Sequence, residues 1–114
     1  MGLDNYWILP KGRKRHPRFK KPLKLMGGLF SGHGKGSFRG NVYSTFFFEF
    51  TGSSLYDEIN SENVRLIYDS YFKGIRHRNL TKNVKEWITS REYNQFKRMW
   101  RVYSKIGASL VPWS

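Results

Sequence analysis

The sequence contains no cysteine, which excludes disulfide bonds and thiolate metal sites. Acidic residues are few, with 8 Asp and Glu against 21 Lys and Arg, and the net charge is +13. No apolar run approaches the roughly 18 residues that span a bilayer. The opening MGLDNYWILP lacks the basic leader of a secretory signal. We therefore expect a cytoplasmic protein with no membrane partner.

Histidine is also scarce, and its spacing predicts no metal site and no cofactor. His16, His33 and His77 are the three present, and none lies within a helical turn of another. The adjacent carboxylates Asp57 and Glu58 would not share one face of a helix or strand. The sequence does not decide whether His33 acts as a general acid or base. It favours a protein that binds without catalysis, and it identifies no catalytic residue.

The positive charge is concentrated in two blocks that flank an acidic one. Residues 11–40 carry +10 with no acid, residues 41–72 carry −4, and residues 73–114 carry +8. This distribution predicts a polyanionic partner, although a Lys- and Arg-rich surface that serves only solubility is the alternative. The predicted electrostatic patch comprises Arg13, Lys14, Arg15, Arg18, Lys20, Lys21, Arg76 and Arg78.

The segment GGLFSGHGKGSFRG, residues 27–40, is the strongest candidate for a ligand site because six of its fourteen residues are glycine. Bare backbone N–H groups beside cations attract phosphate. Phe30 and Phe38 flank the segment and either pack against a base or anchor the ends of the loop. A solvated loop that binds nothing is the alternative. The predicted ligand-binding residues are Phe30, Ser31, Gly32, His33, Gly34, Lys35, Gly36, Ser37, Phe38 and Arg39.

The glycine segment does not match the familiar phosphate-binding motifs. In the Walker pattern Leu29 would occupy the first glycine position, and Gly36 stands where a hydroxyl is required. The dinucleotide motif needs a following helix, whereas alternating apolar residues predict a strand over residues 41–50. A nucleoside triphosphatase and a Rossmann enzyme are therefore not supported.

The remaining pattern predicts one α+β domain over residues 1–114, with a small antiparallel sheet from the N-terminal half packed by two or three C-terminal helices. An opening strand over residues 3–9 precedes an extended, flexible basic loop over residues 11–24. Three apolar side chains could attach that loop to the body: Phe19, Leu23 and Leu25.

Three helices are predicted in the C-terminal half. The first covers residues 61–73, is capped by Ser61 and buries a stripe of Val64, Ile67, Tyr68, Tyr71 and Phe72. A short helix after Thr81 turns Val84, Trp87 and Ile88 inward. The last runs from a Thr89–Glu92 capping box to about Ile106, and its apolar side includes Tyr93, Phe96, Met99, Trp100 and Tyr103. A non-helical tail follows, with Trp113 docked on the body.

The segments MGLDNYWILP, GGLFSGHGKGSFRG-NVY and GASLVPW resemble a type of small protein encoded in phage and bacterial genomes. The resemblance brings no established activity. It implies a virus-encoded accessory factor located in the host cytoplasm, including one that captures a host nucleotide signal.

Together these features predict a non-enzymatic binding protein for a phosphate-rich ligand: a nucleotide, a cyclic oligonucleotide or a short nucleic acid. Two alternatives stay open. One is a sequence-tolerant DNA- or RNA-binding protein that uses the basic patches, and the other is a protein that docks on an acidic partner surface. The sequence does not decide whether the chain forms a homo-oligomer.

Overall fold

The computed structural model describes residues 3–26 and 36–113. Within these ranges the chain forms a three-stranded antiparallel sheet and four α-helices, which confirms the predicted α+β class. The strands are β1 (Asp4–Ile8), β2 (Ser37–Phe38) and β3 (Ser109–Trp113), and the helices are α1 (Ser44–Thr51), α2 (Ser61–Ile67), α3 (Lys82–Lys85) and α4 (Ser90–Lys105).

Strand β1 lies at the centre of the sheet, between β2 and β3. Tyr6 pairs with Ser37 on one side and with Val111 on the other. On the far edge of β3, Leu110 exchanges backbone hydrogen bonds with Ile59, at 2.8 and 2.9 Å. Backbone groups alternate along a strand, so Pro112 directs its nitrogen to this same edge, where the missing N–H disrupts no pairing within the sheet.

Helix α4 is the central element of the core. Its predicted capping box is confirmed: the Thr89 N–H donates to Glu92 at 2.8 Å and the Glu92 N–H donates to the Thr89 hydroxyl at 3.2 Å. The side chains predicted for its apolar side are all buried: Tyr93, Phe96, Met99, Trp100 and Tyr103. Through these side chains α4 contacts both the sheet and the other helices.

Aromatic contacts join the sheet and the helices to α4. The ring centroids of Trp7 in β1 and Trp100 lie 5.0 Å apart, as do those of Phe47 in α1 and Trp100. The Trp100 Nε1 also donates to the carbonyl of Val64 in α2 at 2.9 Å. One tryptophan therefore links three elements that are distant in the sequence.

The strand predicted over residues 41–50 is wrong, since this segment begins with a 3₁₀ turn, Gly40–Val42, and continues as α1. Aromatic and β-branched residues favour strands, and their alternation suggested one. Buried residues instead recur with helical spacing at Tyr43, Phe46 and Phe47, while Phe48 is 57% exposed. Gly52 ends the helix with a φ of 77°.

The helix predicted over residues 61–73 is confirmed in position but differs in two details. Asn60, not Ser61, is the N-cap, and its side chain accepts from the Asn63 N–H at 2.8 Å. After Ile67 the backbone continues as a π-helical turn, Tyr68–Phe72. The wider turn shifts the buried face, so that Phe72 is buried while Tyr71 stays exposed.

Two tryptophans expected to pack inward are exposed. Trp87 follows α3 and is 51% exposed, although Val84 and Ile88 on either side of it are buried as predicted. Trp113 ends β3 and is 68% exposed, so it does not dock on the body. No helix in the described part of the chain has the length and apolar character needed to cross a bilayer.

Candidate functional site

Only part of the predicted ligand site lies within the residues that the structure describes. Phe30, Ser31, Gly32, His33, Gly34 and Lys35 lie outside the described residues. Gly36, Ser37, Phe38 and Arg39 are described, and of these four Arg39 has an exposed side chain. Arg39 also has an interaction within the protein.

Gly36 is held by structural contacts on both sides. Its carbonyl accepts from the Trp7 N–H at 2.7 Å, and its φ of 57° is in the left-handed region. The imidazole of His16 lies directly over it, where a Cβ would collide with the ring. Glycine at this position therefore allows close packing of His16, independently of any ligand.

Ser37 and Phe38 are buried, with exposed fractions of 1% and 0%. The Phe38 ring contacts the rings of Trp7, Tyr43 and Phe96 at centroid distances of 6.1, 6.3 and 5.7 Å. No face of Phe38 is open to a base in this structure. Its position fits the alternative interpretation, in which it anchors the end of the glycine segment.

The basic segment, residues 11–24, has no regular secondary structure but is attached along α4. His16 Nδ1 lies 3.0 Å from the Tyr103 hydroxyl, near the C-terminal end of the helix. The Lys24 N–H donates to Gln95 Oε1 at 3.0 Å, two turns earlier. Between these contacts the Arg98 guanidinium lies over the Phe19 ring, 5.5 Å from its centroid. The segment therefore runs antiparallel to α4.

The apolar side chains expected to attach this segment do so, since Leu23 and Leu25 are buried and Phe19 packs against the core. The cations between them remain in contact with solvent. All eight residues of the predicted electrostatic patch are exposed: Arg13, Lys14, Arg15, Arg18, Lys20, Lys21, Arg76 and Arg78.

Helix α4 adds cations of its own that the sequence-based list of site residues omitted. Arg91, Arg101 and Lys105 are exposed, and Arg98, which contacts Phe19, is half-buried. Their spacing of 3, 4 and 7 residues places them along one side of the helix, opposite its buried rings. This spacing was visible in the sequence as the polar side of an amphipathic helix, which is usually only a solvated face.

The turn at residues 75–79 brings a third basic segment to α4. Lys97 Nζ donates to the Ile75 carbonyl at 2.8 Å. Burial lowers the pKa of Lys97, and the charges of Arg76 and Arg101 lower it further. Arg76 in the turn and Arg101 on the helix are therefore close enough to repel the same ammonium group.

The contact between His16 and Tyr103 lies at the other end of the basic segment. Burial raises the pKa of Tyr103 to about 12, so its hydroxyl keeps its proton and can donate to the imidazole. Burial, and then the charge of Arg13, lowers the pKa of His16. Positive charge is thus in excess at this end of α4 as well.

We call the set of Arg13–Lys24, the outer side of α4 and Arg76–Arg78 the basic surface. Three segments that are distant in the sequence meet on it, because α4 contacts each of the other two. Clustered Lys and Arg raise the local concentration of polyanions and contact phosphate oxygens. The arrangement is suited to binding an extended anion.

The described residues contain no group of three His, Asp or Glu side chains able to hold a metal ion. His16 contacts Tyr103, and His77 lies 2.8 Å from the Ile88 carbonyl, so each ring has a partner within the protein.

No protein-family model, no curated protein and no solved structure matches this chain. The resemblance of three segments to phage and bacterial proteins therefore stays a prediction, and function is inferred from the chain's own residues.

Proposed function

We propose that this protein binds nucleic acid, without turning it over, through the basic surface centred on α4. The observation that carries the proposal is the convergence of two basic segments, residues 13–24 and 76–78, on the cationic side of α4. Arg76 and Arg101 both repel the ammonium group of Lys97. A bound phosphate backbone would relieve that repulsion. We place this activity in the cytoplasm, of the host cell if the chain is phage-encoded.

The length of the basic surface favours a polymer over a compact nucleotide. Helix α4 has 16 residues and is therefore about 24 Å long. That length corresponds to the rise of about seven phosphates along one strand of a duplex. A single nucleotide would contact only a fraction of these cations, whereas a nucleic-acid strand can follow them along the helix.

Salt dependence of binding tests this proposal. We expect Arg101→Ala and Lys105→Ala each to reduce the slope of log K against log salt by about one, uniformly across sequences. Arg65→Ala, which removes an exposed cation from α2, is the matched control and should leave the slope unchanged. The proposal is wrong if Arg101→Ala and Lys105→Ala have the same salt slope as Arg65→Ala. It is also wrong if the protein binds neither DNA nor RNA. Binding to an acidic protein instead would support the partner-docking alternative.

A compact phosphate ligand held by the glycine segment remains a separate hypothesis, which calorimetry with mono-, di- and cyclic nucleotides tests. If it is correct, Lys35→Ala with Arg39→Ala abolishes nucleotide binding and leaves the fold intact, while Arg101→Ala has little effect. If no nucleotide binds the wild-type protein, the hypothesis is wrong.

A further inference from the structure

A groove lies between the C-terminal end of α1, the loop over residues 52–59, and α2 with its π-helical turn. Its volume is about 560 Å³. Exposed apolar side chains line it, among them Phe48 and Leu66, which are 57% and 58% exposed. The adjacent carboxylates Asp57 and Glu58 also line it. We call this feature the acidic groove.

The π-helical turn contributes directly to the acidic groove. The wider turn buries Phe72, whose ring centroid lies 5.9 Å from that of Trp100, and leaves Tyr71 on the groove wall. A regular helix has no such insertion, and π-helical turns occur frequently at functional sites. Tyr71 therefore occupies a place that simple helical periodicity would have buried.

The chain itself carries a surface that complements the acidic groove. Lys20 and Lys21 are adjacent and exposed, between the anchored residues Phe19 and Leu23. Lysine can lay its aliphatic stem on apolar surface while its ammonium group reaches a carboxylate. Two ammonium groups can neutralise the two carboxylates that line the groove, and the exposed aromatic rings can also attract cations.

We propose that the acidic groove of one copy receives Lys20 and Lys21 of a second copy, while the other cations of the basic surface hold both copies on the same nucleic acid. This inference rests on the proposed function. Two copies that each carry +13 repel one another in solution, and the phosphate backbone removes much of that repulsion. The contact joins two different surfaces, the acidic groove of one copy and the lysines of the next. Each copy therefore keeps one unused surface for a further copy, which permits a row of copies along the strand.

Binding to short and long oligonucleotides separates this inference from the proposed function. On a strand of about ten nucleotides, which holds one copy, Asp57→Asn with Glu58→Gln should bind at least as tightly as the wild type. On a strand of about 60 nucleotides the wild type should bind with cooperativity on the order of tenfold, and the variant should lose it.

Asp4→Asn with Glu86→Gln is the matched control, because it makes the same change in net charge and neither residue lines the groove. It should retain cooperativity. If the wild type binds the long strand without cooperativity, or the groove variant keeps it, the inference is wrong while the proposed function stands. Failure to bind the short strand would overturn both.

A charge exchange provides a second, independent measurement. Lys20 and Lys21 also belong to the basic surface, so each variant is used at a protein concentration that saturates the long strand. At saturation, Asp57→Lys with Glu58→Lys, and separately Lys20→Glu with Lys21→Glu, should each abolish cross-linking between neighbouring copies. In an equimolar mixture, opposite charges meet wherever the two variants alternate along the strand, so the mixture should restore the cross-linking. If the mixture cross-links no better than either variant alone, Lys20 and Lys21 do not occupy the groove.

Discussion

The indole of Trp7 and the phenol ring of Tyr103 are parallel to within 1°, with their centroids 4.5 Å apart. This stack joins the central strand of the sheet to the last turn of α4. The hydroxyl of Tyr103 contacts the imidazole of His16, which covers Gly36. The end of the glycine segment is therefore attached to the core through a short series of ring contacts.

The first prediction concerns Trp7, which is 2% exposed. Trp7→Ala should lower the free energy of unfolding by about 3–5 kcal/mol, because it removes the ring that contacts Tyr103 and Trp100. Trp113→Ala, at an exposed site, should change it by no more than about 0.5 kcal/mol. Urea denaturation followed by circular dichroism measures both, and equal losses would contradict the packing described here.

The second prediction is a dependence of stability on pH through His16. Its pKa is lowered from 6.5 in the folded protein, so below that value the unfolded chain binds more protons. The free energy of unfolding should therefore fall as the pH drops through 6.5 and level off below the folded-state pKa. Protonation also removes the Nδ1 acceptor that the Tyr103 hydroxyl can use.

Urea titrations between about pH 5 and pH 8 measure this dependence, since that range brackets the ordinary histidine pKa. His16→Gln should remove the part of the pH dependence of the free energy of unfolding that His16 causes, whereas His77→Gln should leave that part unchanged. If the slope survives in His16→Gln at its wild-type size, another group is responsible.

The third prediction distinguishes two reasons why a side chain at Gly36 would lower the free energy of unfolding: backbone strain and a collision with His16. Gly36→Ala should be destabilising, because it combines a left-handed φ with a collision against the His16 ring. Gly12 also has a positive φ, of 93°, but nothing lies within 4 Å of its Cβ position. Gly12→Ala should therefore show only the backbone cost of about 1–2 kcal/mol, and Gly36→Ala should lose more.

Adding His16→Ala to each glycine variant tests the cause of that difference. When His16 has already been replaced by alanine, Gly36→Ala should lower the free energy of unfolding by less than it does in the wild-type protein. An unchanged loss would mean that the His16 ring is not what the new methyl group meets.

The fourth prediction distinguishes two candidate caps of α2. Asn60→Ala should lower the free energy of unfolding by about 1 kcal/mol, because it removes the acceptor of the Asn63 N–H. Ser61→Ala, at the position that the sequence suggested, should have little effect. Thermal denaturation of both variants decides between them, and a larger loss for Ser61→Ala would favour the sequence-based assignment.

The sequence was sufficient to predict those helices in which the capping residues and the apolar periodicity agree. Helix α4 has a capping box at Thr89 and a regular apolar stripe, and it was predicted within about one residue. In α1 two signals conflicted, since Phe46 and Phe48 alternate like strand residues while Phe46 and Phe47 follow the helical period of Tyr43. Tertiary packing against Phe96 and Trp100 decided in favour of the helix.

The residues of the proposed binding surface were harder to predict, because that surface depends on contacts between distant segments. The exposed cations of residues 11–24 were identified from charge alone. The role that we propose for Arg101 was not identified, because a cation on the polar side of a helix gives no sign that Arg76 lies near the same lysine, Lys97. The π-helical turn was also missed, since its inserted residue breaks the 3.6-residue period used to predict burial.

The pairing of β1 with β3 determines when the three-stranded sheet can be completed as the chain is made. Tyr6 and Val111 are partners although roughly 100 residues of chain separate them. Contacts this distant in sequence form slowly, because a long loop must close before they contribute. Strand β1 is therefore made well before its partner β3. Helix α4 is also made before β3, and its Trp100 and Tyr103 can cover Trp7 of β1 until β3 pairs.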